Sequence, residues 1–258
     1  MGTLSKIVIV VPCYNEERRL QAGALLPILA EPDTHLRLVD DGSSDATPRV
    51  LESIRREQPD RIVVSRLPRN QGKAEAVRTG MLDALSSGAT VVGFLDADGS
   101  TPPEEMRRLI DEARKGVASV VMAARVALLG SKIRRSLPRH LLGRLFATAA
   151  STALAMEVYD TQCGAKLLRD TPSLRDALKR RFRSRWAFDV ELIGRLIAPS
   201  PGVPPLAAED FVEVPIRQWR DVRGSKLTTI AMLRAGLDLV PIAWEVHTAR
   251  AAQAQRRR

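Results

Sequence analysis

Asp96 and Asp98 close an apolar run, Val91 to Asp96, with one small residue between them. If the extended chain continues through them, both carboxylates lie on the same side and reach one hard cation or a ribose hydroxyl. Mg2+ or Mn2+ bridging a diphosphate suits such a pair, because these ions take oxygen ligands and keep phosphate and water in their shell. The pair alone also has a plainer reading, since Asp98-Gly99 is common turn chemistry. Asp40-Asp41-Gly42-Ser43 sets two carboxylates side by side. One of them must be solvated or paired with a donor, although Asp and Ser also cap helices. Pro12-Cys13-Tyr14-Asn15-Glu16-Glu17 adds an aromatic edge and two acids, and Asn70-Gln71-Gly72-Lys73 brings an amide and a cation to what reads as a helix start.

These segments need elements that bring them together, and the first 124 residues supply a repeated pattern. Ile7 to Val11, Leu36 to Asp40, Ile62 to Ser65, Val91 to Asp96 and Ser119 to Ala123 read as buried strands of a parallel sheet. Glu17 to Ala30, Ala46 to Glu57, Lys73 to Ser87 and Pro103 to Lys115 read as helices between them, the last with Pro in its first turn and Glu104 and Glu105 at its positive dipole end. Alternating strands and helices predict a doubly wound α/β layer, in which ligands bind at the carboxyl ends of the strands. The polar segments follow those strand ends.

The 258 residues are 45% hydrophobic and 27% charged with two cysteines, a globular composition that excludes a disordered chain, a collagen repeat and a disulfide scaffold. Cys13 and Cys163 read as buried small hydrophobes in a reducing compartment. Neither an export signal nor a run of roughly 20 apolar residues occurs, so no spanning helix is expected. The net charge of +10 is unevenly placed. Residues 1–124 hold 16 Lys and Arg against 18 Asp and Glu, whereas 125–258 hold 24 against 12. A basic half fits nucleic acid, an anionic membrane surface or a phosphate-bearing substrate, and composition does not choose among them.

That second half opens with a helix, Leu137 to Met156, uncharged from Leu145 onward and thus buried or interfacial. A basic run, Lys179 to Arg185, precedes a helix at Asp189 to Ala198. A Pro-rich turn, a strand at Asp210 to Ile216 and a last helix at about Lys226 to Val246, broken near Pro241, complete the chain. The basic run carries one aromatic and no nucleic-acid fold signature accompanies it, which argues against a nucleic-acid module.

Taken in order, the segments VVPCYNEE (10–17), VDDGSSDAT (39–47), NQGKAEAVRTG (70–80), FLDADGSTPPEE (94–105), DTQCGAKLLR (160–169), RWAFDVELI (185–193) and WRDVRGSKL (219–227) resemble the family 2 glycosyltransferases of the GT-A fold. The resemblance is to the polyprenyl-phosphate sugar transferase branch, and its last three segments look most like the dolichyl-phosphate β-glucosyltransferase subgroup. It implies one GT-A domain over 1–258: a mostly parallel, Rossmann-like central sheet with helices on both faces and amphipathic helices toward the C-terminus. Residues 1–124 would form the nucleotide-sugar half, and residues 125–258 the acceptor-binding, membrane-facing half.

The same resemblance assigns roles. Pro12, Tyr14, Glu16 and Asp41 would line the nucleobase pocket, Gly72 and Lys73 would close it, and Asp96, Ala97 and Asp98 would complete the donor site. Asp96 and Asp98 would hold Mg2+ or Mn2+, which offsets charge on the leaving diphosphate. Arg125, Arg135, Ser136 and Lys226 would hold an acceptor phosphate, for which the planar fork of Arg is apt. Asp98, Asp160, Arg125 and Arg135 would be the catalytic set, Asp160 serving as a base or orienting Arg side chains, with a turn-fixing Asp as its plainer reading. Trp186, Asp189 and Glu191 would meet the sugar, although Asp189 also suits a helix start. Trp219 would stack on a sugar or simply pack.

Three departures stand out: Ala74 where many relatives carry Gly, Ser100 where the mannosyl branch often carries Gln, and Ala165 where an aromatic is usual. The expectation is an inverting transfer of a hexose, glucose from UDP-glucose, onto a polyprenyl phosphate. The enzyme would lie peripherally on the cytoplasmic face of an anionic membrane, resting its Leu137 to Met156 helix and its last helix on the interface. GDP-mannose as donor or a soluble acceptor are the alternatives.

Overall fold

The computed structural model describes residues 6–20, 22–134, 137–220 and 229–256. Five strands, β1 (Ile7–Cys13), β2 (Thr34–Asp40), β3 (Ile62–Arg66), β4 (Val91–Leu95) and β5 (Val120–Ala124), alternate with α1 (Thr47–Glu57), α2 (Lys73–Ser86) and α3 (Pro103–Arg114). The chain continues through β6 (Lys132–Arg134), α4 (Leu137–Leu154), β7 (Ala165–Arg169), α5 (Pro172–Lys179) and α6 (Phe188–Ile197) to β8 (Phe211–Pro215), β9 (Gln218–Arg220) and α7 (Thr229–Arg256). Seven strands form one sheet in the order β3-β2-β1-β4-β7-β5-β8, and β6 and β9 pair separately.

The β-branched runs work as strands because alternate residues face two different cores. From β1, Val8 and Val10 join Phe94, Met122 and Leu168 beneath α2, α5 and α6. Ile7, Ile9 and Val11 join Leu36, Val91 and Val121 beneath α1 and α3. The second half is built into the first core: Leu154 of α4, Phe188 and Ile193 of α6 and Ile242 and Val246 of α7 are buried within it. Gly194 lets α6 and α7 approach closely, since a Cβ there would lie 3.2 Å from Ile242.

Three differences from the sequence reading have physical causes. The expected helix from Glu17 to Ala30 is replaced by two short 3-10 turns, Ala22–Ala24 and Leu26–Ala30. Gly23 weakens a helix there, Pro27 removes a donor, and burial of Leu25, Ile28 and Leu29 suffices to pin the segment. The expected break near Pro241 does not occur, because α7 runs through it. Packing of Leu239, Ile242 and Val246 outweighs the lost backbone bond. The sheet also departs from a purely parallel order: β7, which the sequence reading did not identify as a strand, inserts antiparallel between β4 and β5.

That insertion depends on Gly93, opposite Leu167 in the β4–β7 register. A Cβ there would lie 2.2 Å from the Lys166 carbonyl and 2.5 Å from a Leu167 methyl. Gly93→Ala is therefore expected to destabilise the fold by about 3 kcal/mol or more through overpacking and strand displacement. Urea unfolding checks this, with Gly88→Ala measuring the cost of a positive φ without a clash, since Gly88 has φ +83° and open space around it.

Candidate functional site

The carboxyl ends of β1 and β2 carry two loops that are laced together. The Asn15 amide donates to Ser43 Oγ at 3.0 Å, and the Asn15 side-chain carbonyl accepts from the Ser44 amide at 3.0 Å. The Glu16 amide donates to Thr47 Oγ1 at 2.7 Å, while the Glu16 carboxylate accepts from Arg19. Asp41 is buried and its two oxygens accept from the backbone amides of Gln71 and Gly72 at 2.7 and 2.8 Å. Burial nevertheless raises its pKa above the ordinary carboxylate value. Asp41 thereby ties the start of α2 to the end of β2. Gly42 is required at that junction: its φ is +68°, and a Cβ would sit 2.5 Å from the Arg69 carbonyl carbon.

Asp96 follows β4 directly. The strand stops at Leu95, so Asp96 and Asp98 flank a turn rather than sharing one face of a strand, contrary to the expectation of continuing extension. The Asp96 amide donates to the Gly164 carbonyl at 2.9 Å, and its carboxylate lies where a side chain at Gly164 would be, 2.1 Å from the position of a Cβ. Its other oxygen, Oδ1, lies 2.5 Å from Lys73 Nζ. Asp98 accepts from the Ser100 amide at 2.9 Å. Behind this group a second pair is fully buried: Lys166 Nζ lies 2.6 Å from Asp189 and also donates to the Cys163 carbonyl. Phe94 and Phe188 form the floor, 5.7 Å apart, with Lys73 over both rings and Lys166 over Phe94. Burial opposes the charge on Lys73, but Asp96, Asp189 and Asp98 outweigh it and hold its pKa above the usual lysine value.

A third group closes the other side. Arg125, just beyond β5, grips Asp160 through Nε at 2.7 Å and Nη2 at 2.8 Å, and its amide also donates to Asp160 at 3.0 Å. Burial opposes the charge, yet Asp160 raises the Arg125 pKa further, and Asp96 is near enough to add to this. Glu213 of β8 accepts from the Tyr159 and Asp160 amides at 2.8 Å each, which fixes the carboxylate's backbone. Trp219 lies 5.4 Å from the Arg125 guanidinium, so its ring packs on that cation. The neighbouring Arg220 amide donates to the Ser100 carbonyl at 3.1 Å, fastening β9 to the turn after Asp98.

The structure thus gathers Asp41, Gly72, Lys73, Asp96 and Asp189 into one bonded or charge-coupled set, with Arg125 and Asp160 on its edge. Pro12, the penultimate residue of β1, pairs with Val39, Ala97 is buried against the neighbouring core, and Tyr14 stands between Cys13 and the Asn15 contacts. Trp186 is exposed at the entry to α6, its carbonyl accepting from Gln162. Glu191, expected at the sugar, is turned elsewhere. Two residues beyond Asp189 on a helix it faces roughly the opposite side, where it accepts from the Arg183 and Ser184 amides and pairs with Arg195 at 2.6 Å. Arg135, Ser136 and Lys226 lie outside the described residues.

Residues that carry the site without having been singled out are Gly164, Lys166 and Glu213. Lys166 had a signal in hindsight: it is a charge inside the apolar run Ala165 to Leu168, which demands a buried partner. Glu213 alternates with Val212 and Val214 as any half-buried strand acid does, so nothing in its pattern marked it. Among the described residues no cluster of three or more Asp, Glu, His and Cys is arranged to hold a metal.

Comparison with known proteins gives this geometry its context. The profile of Glycosyl transferase family 2 matches residues 8–173. The dolichyl-phosphate beta-glucosyltransferase of Mus musculus is 33% identical over 260 residues, covering 91% of this chain and 74% of the relative. The polyprenol monophosphomannose synthase of Mycolicibacterium smegmatis is 28% identical over 192 residues, covering 74% of this chain and 72% of the relative. Among solved structures, glucosyl-3-phosphoglycerate synthase from Mycobacterium tuberculosis in complex with uridine diphosphate superposes with a TM-score of 0.64 at 18% identity, covering 93% of this chain and 80% of that one. The same synthase with Mn2+, uridine diphosphate and glucosyl-3-phosphoglycerate gives a TM-score of 0.62 at 17% identity, with the same coverage. These superpositions establish the shared fold.

The Arg125–Asp160 fork makes a quantitative prediction. Asp160→Ala leaves a mostly buried guanidinium without its carboxylate and is expected to cost about 3 kcal/mol. Arg175→Ala, which removes an exposed pair with Asp170, is expected to leave stability almost unchanged. Urea denaturation of both variants checks the contrast.

Proposed function

The chain belongs to glycosyl transferase family 2, and from that membership we propose that it transfers glucose from UDP-glucose to a polyprenyl phosphate, inverting the anomeric carbon. The observation that carries the reading is the placement of Asp96 and Asp98 between two differently charged groups. On one side stand the interlocked loops that follow β1, β2 and β3; on the other stands the Arg125–Asp160 fork of the basic half. Similarity to dolichyl-phosphate beta-glucosyltransferase over nine tenths of the chain supports glucose and a lipid phosphate over the alternatives.

The residues at the turn fit a hard divalent cation. Their donors are oxygens, and Asp96 is seated so closely against Gly164 that its carboxylate has one place to go. Asp96 and Asp98 would hold Mg2+ or Mn2+, and that ion would offset the charge developing on the leaving diphosphate. Pro12, Tyr14, Glu16 and Ala97 would border the nucleobase, with Asp41 acting through the Gln71 and Gly72 amides that it holds. Trp186 and Asp189 would stand at the sugar.

Arg125 presents a guanidinium whose orientation is fixed from behind by Asp160 and from the side by Trp219. Such a group positions an acceptor phosphate and excludes other approaches. A phosphate nucleophile is already anionic near neutral pH and requires no proton removal. Asp160 is therefore a positioning residue for Arg125 rather than a base. Arg135, Ser136 and Lys226 are proposed to complete the acceptor site.

The acceptor's lipid chain places this edge against a membrane. No described helix is long and apolar enough to cross one. The packed helices α4 and α7 instead expose Leu141, Leu142 and Leu145 on one and Leu237, Val240 and Trp244 on the other, while Ala150, Leu154, Ile242 and Val246 face inward. Apolar residues on a half of net charge +12 suit the interface of an anionic leaflet on the cytoplasmic face.

Two tests follow. With dolichyl or undecaprenyl phosphate and Mg2+ or Mn2+, UDP-glucose should support transfer, and Asp98→Ala should lower the rate by about 100-fold or more. Transfer from GDP-mannose but not UDP-glucose, transfer only to soluble phosphates, or retained activity in the variant would each overturn the corresponding assignment. In sedimentation with vesicles, binding should favour anionic over neutral lipid, weaken with salt and fall in Leu145→Glu and Trp244→Ala. Equal partition between the two lipids would sink the membrane reading.

A further inference from the structure

Lys73 occupies an unusual position for a residue beside a cation site. It is the first residue of α2, and the backbone that leads to it is fixed: Gly72 turns at φ +96° and Asp41 holds the Gln71 and Gly72 amides. Its side chain crosses above Phe94 and Phe188 to place Nζ 2.5 Å from Asp96 Oδ1. Two further acids are near, Asp98 and Asp189, and Asp189 is already paired with Lys166 at 2.6 Å. Three carboxylates, Asp96, Asp98 and Asp189, thus face two ammonium groups.

A divalent ion at Asp96 and Asp98 would meet Lys73 on the same carboxylate, and in a half-buried site like charges at contact distance repel strongly. The conflict disappears when a diphosphate arrives too, because its negative charges accept Lys73 on its long, flexible stem. Resting on the metal-assisted transfer proposed above, we infer that Lys73 is a resident counter-cation of Asp96 that bare metal must displace, so that metal and nucleotide diphosphate bind cooperatively. The residue holds the donor site closed to free metal and releases Asp96 when the diphosphate draws it away. Linkage then requires the reverse as well: metal must strengthen nucleotide binding by the same factor.

The test is Mn2+ binding, followed by the electron paramagnetic resonance of free Mn2+, with and without uridine diphosphate. Wild type should bind Mn2+ at least about tenfold more tightly with the nucleotide than without it. Lys73→Met, which keeps the contact with the two phenyl rings, should bind bare Mn2+ about tenfold more tightly than wild type and lose most of the nucleotide's effect. Lys73→Gln should behave in the same way, and Lys73→Arg, which keeps the charge, should retain weak binding of bare Mn2+. Bare Mn2+ binding that is no tighter in either neutral variant, with nucleotide-dependent binding intact in wild type, overturns the role of Lys73. Wild type that binds no Mn2+ even with uridine diphosphate overturns the metal-assisted reading beneath it.

Discussion

A carboxylate at the end of the central strand is the constraint around which the site is organised. Asp96 follows β4, and its position next to the β7 backbone leaves no space for a side chain at Gly164. A charge so placed has to be matched from within the protein, because water reaches it from one side at most. The match comes from Lys73, which the fold delivers on the first turn of α2 and steadies through Asp41 and the positive φ of Gly72. Lys166 and Asp189 repeat the arrangement one layer deeper, so each acid is met by one ammonium group, and both ammonium groups lie over Phe94.

The same constraint explains why the two halves of the chain form one unit. Gly164 immediately precedes β7 and Lys166 enters the sheet on it, between strands contributed by the first half, and Phe188 and Asp189 arrive with α6. Glu105 of α3 in turn accepts from the Arg217 and Gln218 amides at 3.0 and 2.9 Å, anchoring the segment that carries Trp219 to Arg125. The residues proposed for donor and acceptor therefore share a scaffold, so that displacing either set would shift the other. The proposed metal-assisted transfer would profit from that rigidity, since in-line attack requires acceptor and leaving group to be held at once.

Charge is divided along the chain in a way that suits this scaffold. The near-neutral first half surrounds the acids that would accompany a metal and a diphosphate. The basic half carries Arg125, proposed for the acceptor, and exposes apolar side chains on α4 and α7. Many of its cations are nonetheless internal fasteners: Arg195 holds the carbonyls of Ala177, Arg180 and Arg181, and Lys166 is buried. Net charge thus overstates the cation available to a membrane or a phosphate.

The sequence by itself determined the alternating strands, their two-sided burial and the loops at their ends, because these follow from periodicity and from residue types at short spacing, and its motifs carried the resemblance to the family. Asp41 and Asp96 were legible from that spacing, whereas Lys73 and Arg125 were marked only by the resemblance to the family. Gly23 and Pro27 already weakened the helix expected at Glu17 to Ala30, but the sequence could not reveal that α7 passes through Pro241, since burial against distant residues outweighs local propensity there. Nor could it show the antiparallel entry of β7, the emptiness required at Gly164 or the inward turn of Glu191. Those were decided by tertiary structure, because a buried charge is matched by whatever partner the fold brings within about 3 Å, regardless of its distance along the chain.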